Sequence, residues 1–285
     1  MMPERTAASR RKQFLRGLQT LCCVLWTGAM LFPLYWMVVT SLKTPQEMLL
    51  RHTTFFPRTI YWRSYRLIFS STPIFRYMLN TIVVTVMQLA VQLGVGIPAA
   101  YGFARGKFKG CDMLFVLVLG ALMIPAQVTF IPLYIMIANL DLVDTYRGLV
   151  FPDMVSAYMI FMLRQNFKSI DESYLDAGKI DGLGILGSLH FVMVPMCKAS
   201  IITVSLVTII DGWNNYFWPK ILSRTDHTRT IALGLTLLKT TFIEEGTARY
   251  NSIMAAAVVS MIPIILIFVF FQKYMLPGYS RAAMK

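Results

Sequence analysis

The chain is poor in charge. Only 14% of its 285 residues are Asp, Glu, Lys or Arg, against roughly 25% in an ordinary soluble domain. Hydrophobic residues make up 56% and the mean hydropathy is +0.58. This balance excludes a disordered chain and argues against a soluble enzyme. Acidic residues are the scarcest: 14 against 27 basic ones, a net charge of +13. In a polar domain such an excess points to nucleic acid. Here the basic residues are spread between long apolar runs, where they read as membrane-flanking charges, and no nucleic-acid partner is expected. Histidine is reduced to His52, His190 and His227, scattered through the loops. The four cysteines, Cys22, Cys23, Cys111 and Cys197, show neither zinc-ligand nor redox spacing. No metal site, nucleophile or cofactor is therefore expected. A GxxxxGK[ST] sequence is also missing, so the chain does not cradle a nucleotide phosphate in the P-loop manner. If it moves a solute uphill, another chain or an ion gradient supplies the energy.

What is abundant is apolar sequence in lengths suited to a bilayer, which needs roughly 20 residues per helix. Six stretches qualify: 18–42, 77–103, 113–137, 148–163, 199–218 and 253–271. The fourth is short and interrupted by Pro152 and Asp153. The first is too long for the apolar region of a signal peptide and reads as a retained anchor. An all-α polytopic membrane protein of about six transmembrane helices follows.

Orientation is read from Lys and Arg near the span ends. The head carries Arg5, Arg10, Arg11, Lys12 and Arg16; the second loop carries Arg105, Lys107 and Lys109. The third loop has Asp141 and Asp144 against Arg147 alone. Head, second loop, fourth loop and tail are thus expected in the cytoplasm. The basic first loop, with Arg51, Arg58, Arg63 and Arg66, runs against this assignment, and the contrast between the two short loops decides it.

The fourth loop, 164–198, carries most of the information. Ser169-x-x-Glu172 has the form of a capping box, predicting a short helix to about Ile180. Gly182 is placed to end it in the left-handed conformation. Ile185, Leu189 and Val192 have helical spacing, predicting a second helix to near Pro195. On physical grounds this helix–turn–helix is either an interfacial element resting on lipid headgroups or a lever for a partner.

Here the residues resemble a family. Asp176-Ala177-Gly178-x-x-Asp181-Gly182, with Pro195 beyond, is similar to the EAA loop of ABC importer permeases. Gly212-Trp213-Asn214-Asn215-Tyr216-Phe217-Trp218-Pro219 resembles the subgroup importing sugars and glycerol phosphates. Arg76-Tyr77-x-x-Asn80-Thr81, Pro98-Ala99-Ala100-Tyr101-Gly102-Phe103-Ala104-Arg105 and Met254-Ala255-Ala256 through Phe271-Gln272-Lys273-Tyr274 agree, so the likeness covers essentially the whole chain. Three positions depart from the pattern: Asp176 replaces Glu, Gly178 replaces the second Ala, and Leu183 replaces the Ala after Asp-Gly.

The resemblance implies a type I ABC importer fold. It divides the chain into a cytoplasmic head (1–17), a first transmembrane helix (18–42), an extracytoplasmic loop (43–75), a permease core (76–272) and a cytoplasmic tail (273–285). It makes 164–198 a coupling loop, with Asp176, Ala177, Gly178, Lys179, Asp181 and Gly182 at the ATPase contact. Asp176 is expected to pair with a basic group there, Asp181 to shape the turn, and Lys179 to be solvated. The implied partners are a second homologous permease, a cytoplasmic ABC ATPase dimer, an extracytoplasmic solute-binding protein and membrane lipid. The implied location is the cell membrane, with both termini inside.

Polar residues within apolar spans are functional candidates by default. Asn80, Gln127, Trp213, Asn214 and Asn215 are the pathway candidates, because aromatic faces with amides suit a sugar ring. Trp213 also suits the aromatic belt at the membrane surface. Gln88 and Gln92, one helical turn apart, suit bonding between helices. An ion-coupled carrier or channel is the competing class, with Asp153 as its only candidate carboxylate; a membrane-embedded enzyme has no supporting cluster.

Overall fold

The computed structural model describes residues 4–50, 52–244 and 249–275; side chains are described from residue 15 onward, except at 126–127, 241–244 and 273–275. The tail expected at 273–285 therefore falls beyond the described side chains. Every regular element among these residues is a helix. In order they are α1 (Glu4–Ser41), α2 (Pro45–Met48), α3 (Arg63–Ser71), α4 (Ile74–Arg105), α5 (Cys111–Ala121), α6 (Ala126–Asn139), α7 (Tyr146–Val150), α8 (Ala157–Lys168) and α9 (Glu172–Ile180). Then follow α10 (Ile185–Met196), which contains a π-helical stretch over Ser188–Met193, α11 (Lys198–Asn214), α12 (Phe217–Leu222), α13 (Ile231–Glu244) and α14 (Tyr250–Met275).

Among the described residues, three helices are long and apolar enough to cross a bilayer: Leu15–Ser41, Ile74–Arg105 and Tyr250–Gln272. A fourth candidate is the pair formed by α10 with Lys198–Leu222, bent by 81°. The other two expected spans are interrupted. Pro125 caps α6 in an extended conformation and separates it from α5; proline lacks the amide that would continue a helix and pushes its predecessor out of the α region. Pro152 lies in a 3₁₀ turn after α7, and the chain restarts at Ser156, whose hydroxyl accepts from the Met159 amide at 3.2 Å. Sequence analysis also missed α13, whose apolar length is too short to satisfy a spanning criterion. Its start is fixed instead by tertiary contact. The Ile231 amide donates to Thr81 Oγ1 at 2.9 Å, and Gly234 lies so close to Tyr77 that a methyl group there would sit 2.3 Å from the ring.

The chain divides into two compact units. One comprises residues 1–72 and 238–260. Within it the basic loop after α1 is folded. Lys43, 3% exposed, donates to the Thr54 carbonyl at 2.5 Å and lies 4.3 Å over the Trp36 ring. The Glu47 carboxylate accepts from Thr54 Oγ1 at 2.6 Å and from the Arg58 amide at 3.2 Å. Asn251 Nδ2 donates to the Lys43 carbonyl and to Ser64 Oγ, both at 3.0 Å.

The other unit comprises residues 73–237 and 261–285. Its α4 packs on α8 and α11. One core joins Ala100, Met159, Leu163 and Phe167 to Leu175, Leu189 and Met193, so α9 and α10 are packed against the ends of α4 and α8. A second core gathers Val84, Ile137, Leu149, Val150, Trp218 and Leu222. The two ends of α4 touch different loops. Near its start, Tyr77 OH donates to Asp226 Oδ1 at 2.6 Å and Asn80 to the Arg229 carbonyl at 2.8 Å. At its end, Arg105 donates to the Phe167 carbonyl at 2.9 Å and also to the Ile170 carbonyl. Thr81 and Arg105 are 24 residues apart on one helix, about 36 Å at 1.5 Å per residue, enough to cross a bilayer core of about 30 Å.

Candidate functional site: the 164–198 loop and a polar cavity

The loop folds as two short helices at an abrupt turn. The cap of α9 is Asp171, whose carboxylate accepts from the Ser173 amide at 2.8 Å; hydrogen bonding from the Ser173 side chain, and then from its amide, holds the carboxyl below the usual range. The sequence reading gave that role to Ser169, but Ser169 ends α8 and its hydroxyl donates to the Asn166 carbonyl at 2.7 Å. An Asp one residue before Glu is as good a cap as Ser, and only the position of the α8 terminus decides between them. Gly182 has φ +81° and the Leu183 amide closes the turn on the Gly178 carbonyl at 2.9 Å.

Of the residues expected to meet an ATPase, Asp176, Ala177, Lys179, Asp181 and Gly182 are exposed and Gly178 is buried. Asp176 and Lys179 are paired with one another at 2.7 Å, which raises the lysine's pKa. Gly178 is buried because Leu183 covers it: a methyl group there would lie 3.3 Å from Leu183 Cδ1. Leu189 is buried in the core, whereas Ile185, on the same predicted helix, is 76% exposed. With Ile180 at 87% and Leu186 at 78% exposure, it forms an apolar tip around the turn. The sequence reading did not single out this tip. Its available signal was isoleucine at both edges of the Asp-Gly turn, where polar residues are the usual choice.

Two arginines fix this assembly. Arg105, on the last turn of α4, donates to carbonyls at the end of α8. Arg164, within α8, donates from Nε to the Phe103 carbonyl near the end of α4 at 3.0 Å, and its guanidinium lies 3.7 Å over the Phe115 ring. Each helix thus supplies a cation to carbonyls at the other's C-terminal end, an arrangement the helix dipole favours.

At the start of α4 a different clamp operates. Asp141 and Asp144 both have positive φ, 54° and 58°. The Asp144 carboxylate accepts from the Arg224 amide at 2.9 Å, the Thr225 amide at 3.1 Å, Thr225 Oγ1 at 2.8 Å and Thr228 Oγ1. Desolvation pushes its pKa up, but these hydrogen bonds outweigh it and hold the carboxyl at about 2.

The pathway candidates separate in space. Asn80 is 3% exposed: its amide donates to the Asp226 and Arg229 carbonyls and accepts from Tyr146 OH at 2.7 Å. It is a structural clasp whose polar atoms are occupied. Trp213 is buried at 5% exposure, while Asn214 is exposed. Gln127 lies on α6, outside the described side chains. Asn215 instead reaches a cavity of about 440 Å³, which is also lined by Gln88, Gln92, Asp153, Thr208 and Asp211. There Asn215 Nδ2 donates to Asp153 Oδ2 at 3.1 Å. Gln92 donates to the Asp153 carbonyl at 2.5 Å and accepts from Thr208 Oγ1 at 2.8 Å. Asp211 was not singled out from sequence. Among the described residues, no three His, Cys, Asp or Glu side chains gather to hold a metal.

Similarity to known proteins follows the same lines. The chain is 30% identical over 259 residues to the arabinooligosaccharides transport system permease protein AraQ of Bacillus subtilis, covering 90% of each chain. It is 28% identical over 272 residues to the sn-glycerol-3-phosphate transport system permease protein UgpE of Yersinia pestis, covering 92% of this chain and 96% of that one. In fold it is similar to a chain in the crystal structure of a bacterial ABC transporter involved in the import of the acidic polysaccharide alginate. The TM-score is 0.81 at 22% identity, over 93% of this chain and 98% of that one. Residues 92–281, which hold the paired loop helices and the cavity-lining α11, match the family described as binding-protein-dependent transport system inner membrane component, and the chain belongs to that family.

Proposed function

We propose that the chain is one permease subunit of an ATP-driven importer for a carbohydrate or related polyol, and that its 164–198 loop is the coupling element. The observation that carries this reading is the apolar tip Ile180, Ile185 and Leu186, exposed beside the Asp176–Lys179 pair on a unit whose base is locked into the core by Leu175, Leu189 and Met193. An apolar tip on a rigid base suits a groove in a partner, whereas an element merely resting on lipid has no need of rigid attachment. Closure of an ATPase dimer would push this lever and tilt α4 and α8, to which it is joined by Arg105 and Phe167.

The partners in this reading are a second homologous permease, a cytoplasmic ABC ATPase dimer and an extracytoplasmic solute-binding protein. The solved alginate transporter complex, with its pentasaccharide-bound periplasmic protein, and the transport systems of the two sequence relatives support this set. The loop and the basic Arg105–Lys109 segment would face the cytoplasm, with the Asp144 clamp on the outer side. The supporting observation is that the 224–228 segment held by Asp144 bonds to the start of α4 through Asp226, while Arg105 at the end of α4 bonds to the Phe167 carbonyl. The termini, on this reading, are cytoplasmic.

The test is disulfide cross-linking in membranes. Asp176→Cys or Lys179→Cys is made in a chain whose four native cysteines are replaced, and cysteines are placed along the groove of the co-expressed ATPase. A cross-link whose yield changes with ATP is expected. Intact transport with no cross-link at any groove position overturns the coupling reading and favours an ion-coupled carrier.

A further inference from the structure

We infer that the cavity beside α4 and α11 is a solute site for an uncharged, polyhydroxylated molecule, and that it excludes anions such as phosphate esters and uronates. The inference rests on the importer reading and narrows its substrate class. The volume, about 440 Å³, is within the range of small-molecule sites, roughly 300–1,000 Å³.

The lining is built for hydroxyls. Gln88 is 5% exposed and makes no hydrogen bond to any described residue, yet its side chain borders the cavity. The amide faces open cavity space, where a ligand hydroxyl, which both donates and accepts, can bond to either end of it. Gln92 and Asn215 are held in place by their bonds to Thr208 and Asp153, so the polar groups are fixed before a ligand arrives.

The same lining opposes an anion. Asp153 and Asp211 both border the cavity, and no lysine, arginine or histidine does. Phosphate and carboxylate recognition needs cationic forks or free helix-terminal amides. The one helix start at this cavity, that of α8, is already served by the Ser156 cap. Asp211 makes no hydrogen bond to any described residue, so its carboxyl is free to act on an entering solute. When ionised, two acidic groups in a cleft with low-dielectric walls repel an anion more strongly than they would in open water. The two sequence relatives carry cargo of opposite character, a neutral oligosaccharide in one name and a phosphate ester in the other. The cavity chemistry places this chain with the former.

The experiment uses the assembled transporter in membranes, with native cysteines replaced and Val207→Cys as the reporter at the cavity wall. Thiol labelling is timed with a cationic reagent, methanethiosulfonate ethylammonium, and its anionic counterpart, methanethiosulfonate ethylsulfonate. The cation is expected to react at least tenfold faster after correction for intrinsic reactivity. Asp211→Asn should shrink that ratio and Asp211→Lys should reverse it. Arabinotriose should slow labelling, sn-glycerol 3-phosphate at equal concentration should not, and Gln88→Leu should abolish the protection. Equal rates for the two reagents, protection by the phosphate ester, or no labelling by either reagent overturns the inference. The Asp176→Cys cross-link to the ATPase reports on assembly in each variant. If the cross-link forms and the charge preference is absent, the site inference fails and the importer reading stands. If the preference is present without a cross-link, the importer reading is the one that fails.

Discussion

Gly178 and Leu183 form a single packing pair. Leu183 Cδ1 lies 3.3 Å from where a methyl group on Gly178 would sit, and its Cδ2 lies 3.3 Å from the equivalent point on Gly187. Both Gly178 and Leu183 depart from the pattern of the family, which has alanine at each position. The structure explains why they depart together: the leucine at the turn fills the space the missing methyl group leaves, and wedges α9 against α10.

That pairing predicts a non-additive double-mutant cycle. Gly178→Ala alone should gain about 1 kcal/mol of helix propensity and lose a comparable amount to crowding against Leu183, leaving stability nearly unchanged. Leu183→Ala alone should cost about 1–2 kcal/mol for a half-buried side chain. In the Leu183→Ala background, Gly178→Ala should recover about 1 kcal/mol. Thermal unfolding of the detergent-solubilised protein reads all four corners, and strict additivity would sink the pairing.

The reciprocal arginines predict a failure of conservative replacement. Arg105 makes both carbonyl contacts from Nη2, and Arg105→Lys should weaken them because the ammonium sits on a differently shaped stem and cannot occupy the same point. A destabilisation of about 1–2 kcal/mol is expected, and Arg105→Ala should not be much worse. If lysine fully restores the wild-type melting temperature, the placement of Nη2 by the guanidinium is unimportant.

How legible these features were in the sequence differs by kind. The turn at Asp181-Gly182 was plain, since only a residue tolerating positive φ ends a helix that way. The long runs behind α1, α4 and α14 were plain as well, because length and hydropathy are local properties. What escaped were relations between distant residues. The start of α13 depends on Thr81 and Tyr77, roughly 150 positions earlier in the chain, and its own apolar run, Ile231–Thr240, is too short to announce a span. Asn80 stood out as polar in an apolar span, but only the fold shows its amide occupied by the Asp226 and Arg229 carbonyls. Asp211 and Gln88 gain their interest from sharing a cavity wall with Asp153, which no spacing in the chain encodes.

Asp144 predicts an acid sensitivity with a defined window. Its folded pKa of about 2 lies below the ordinary 3.8, so the folded state binds the proton less readily than the unfolded chain. The stability it contributes is fully present above pH 4 and is lost as pH falls from about 4 to about 2. Asp144→Asn retains the shape but accepts fewer hydrogen bonds, and should cost about 1 kcal/mol near neutral pH. Melting temperature followed from pH 7 down to the acid limit should show the variant and the wild type converging in that window. A constant gap across it would assign the loss to something other than the carboxylate.

The apolar tip gives a prediction that separates partner binding from folding. Ile180 is 87% exposed, so Ile180→Ser removes almost nothing from the core, and stability should stay within about 0.5 kcal/mol of wild type. If the tip enters a groove on an ATPase, burying that side chain contributes about 1.5–3 kcal/mol to association. The serine variant should then bind the ATPase roughly tenfold or more weakly. Ile180→Leu should retain most of the affinity, since area rather than branching is at stake. Leu186→Ser should act in the same direction, because the two side chains flank one turn. Affinity is read by titrating the purified ATPase onto the permease assembly in nanodiscs, alongside unfolding of each variant. Weakened binding with unchanged unfolding assigns the tip to the partner. A parallel fall in both assigns it to the fold, and unchanged binding with unchanged unfolding leaves the exposed isoleucine to the lipid surface.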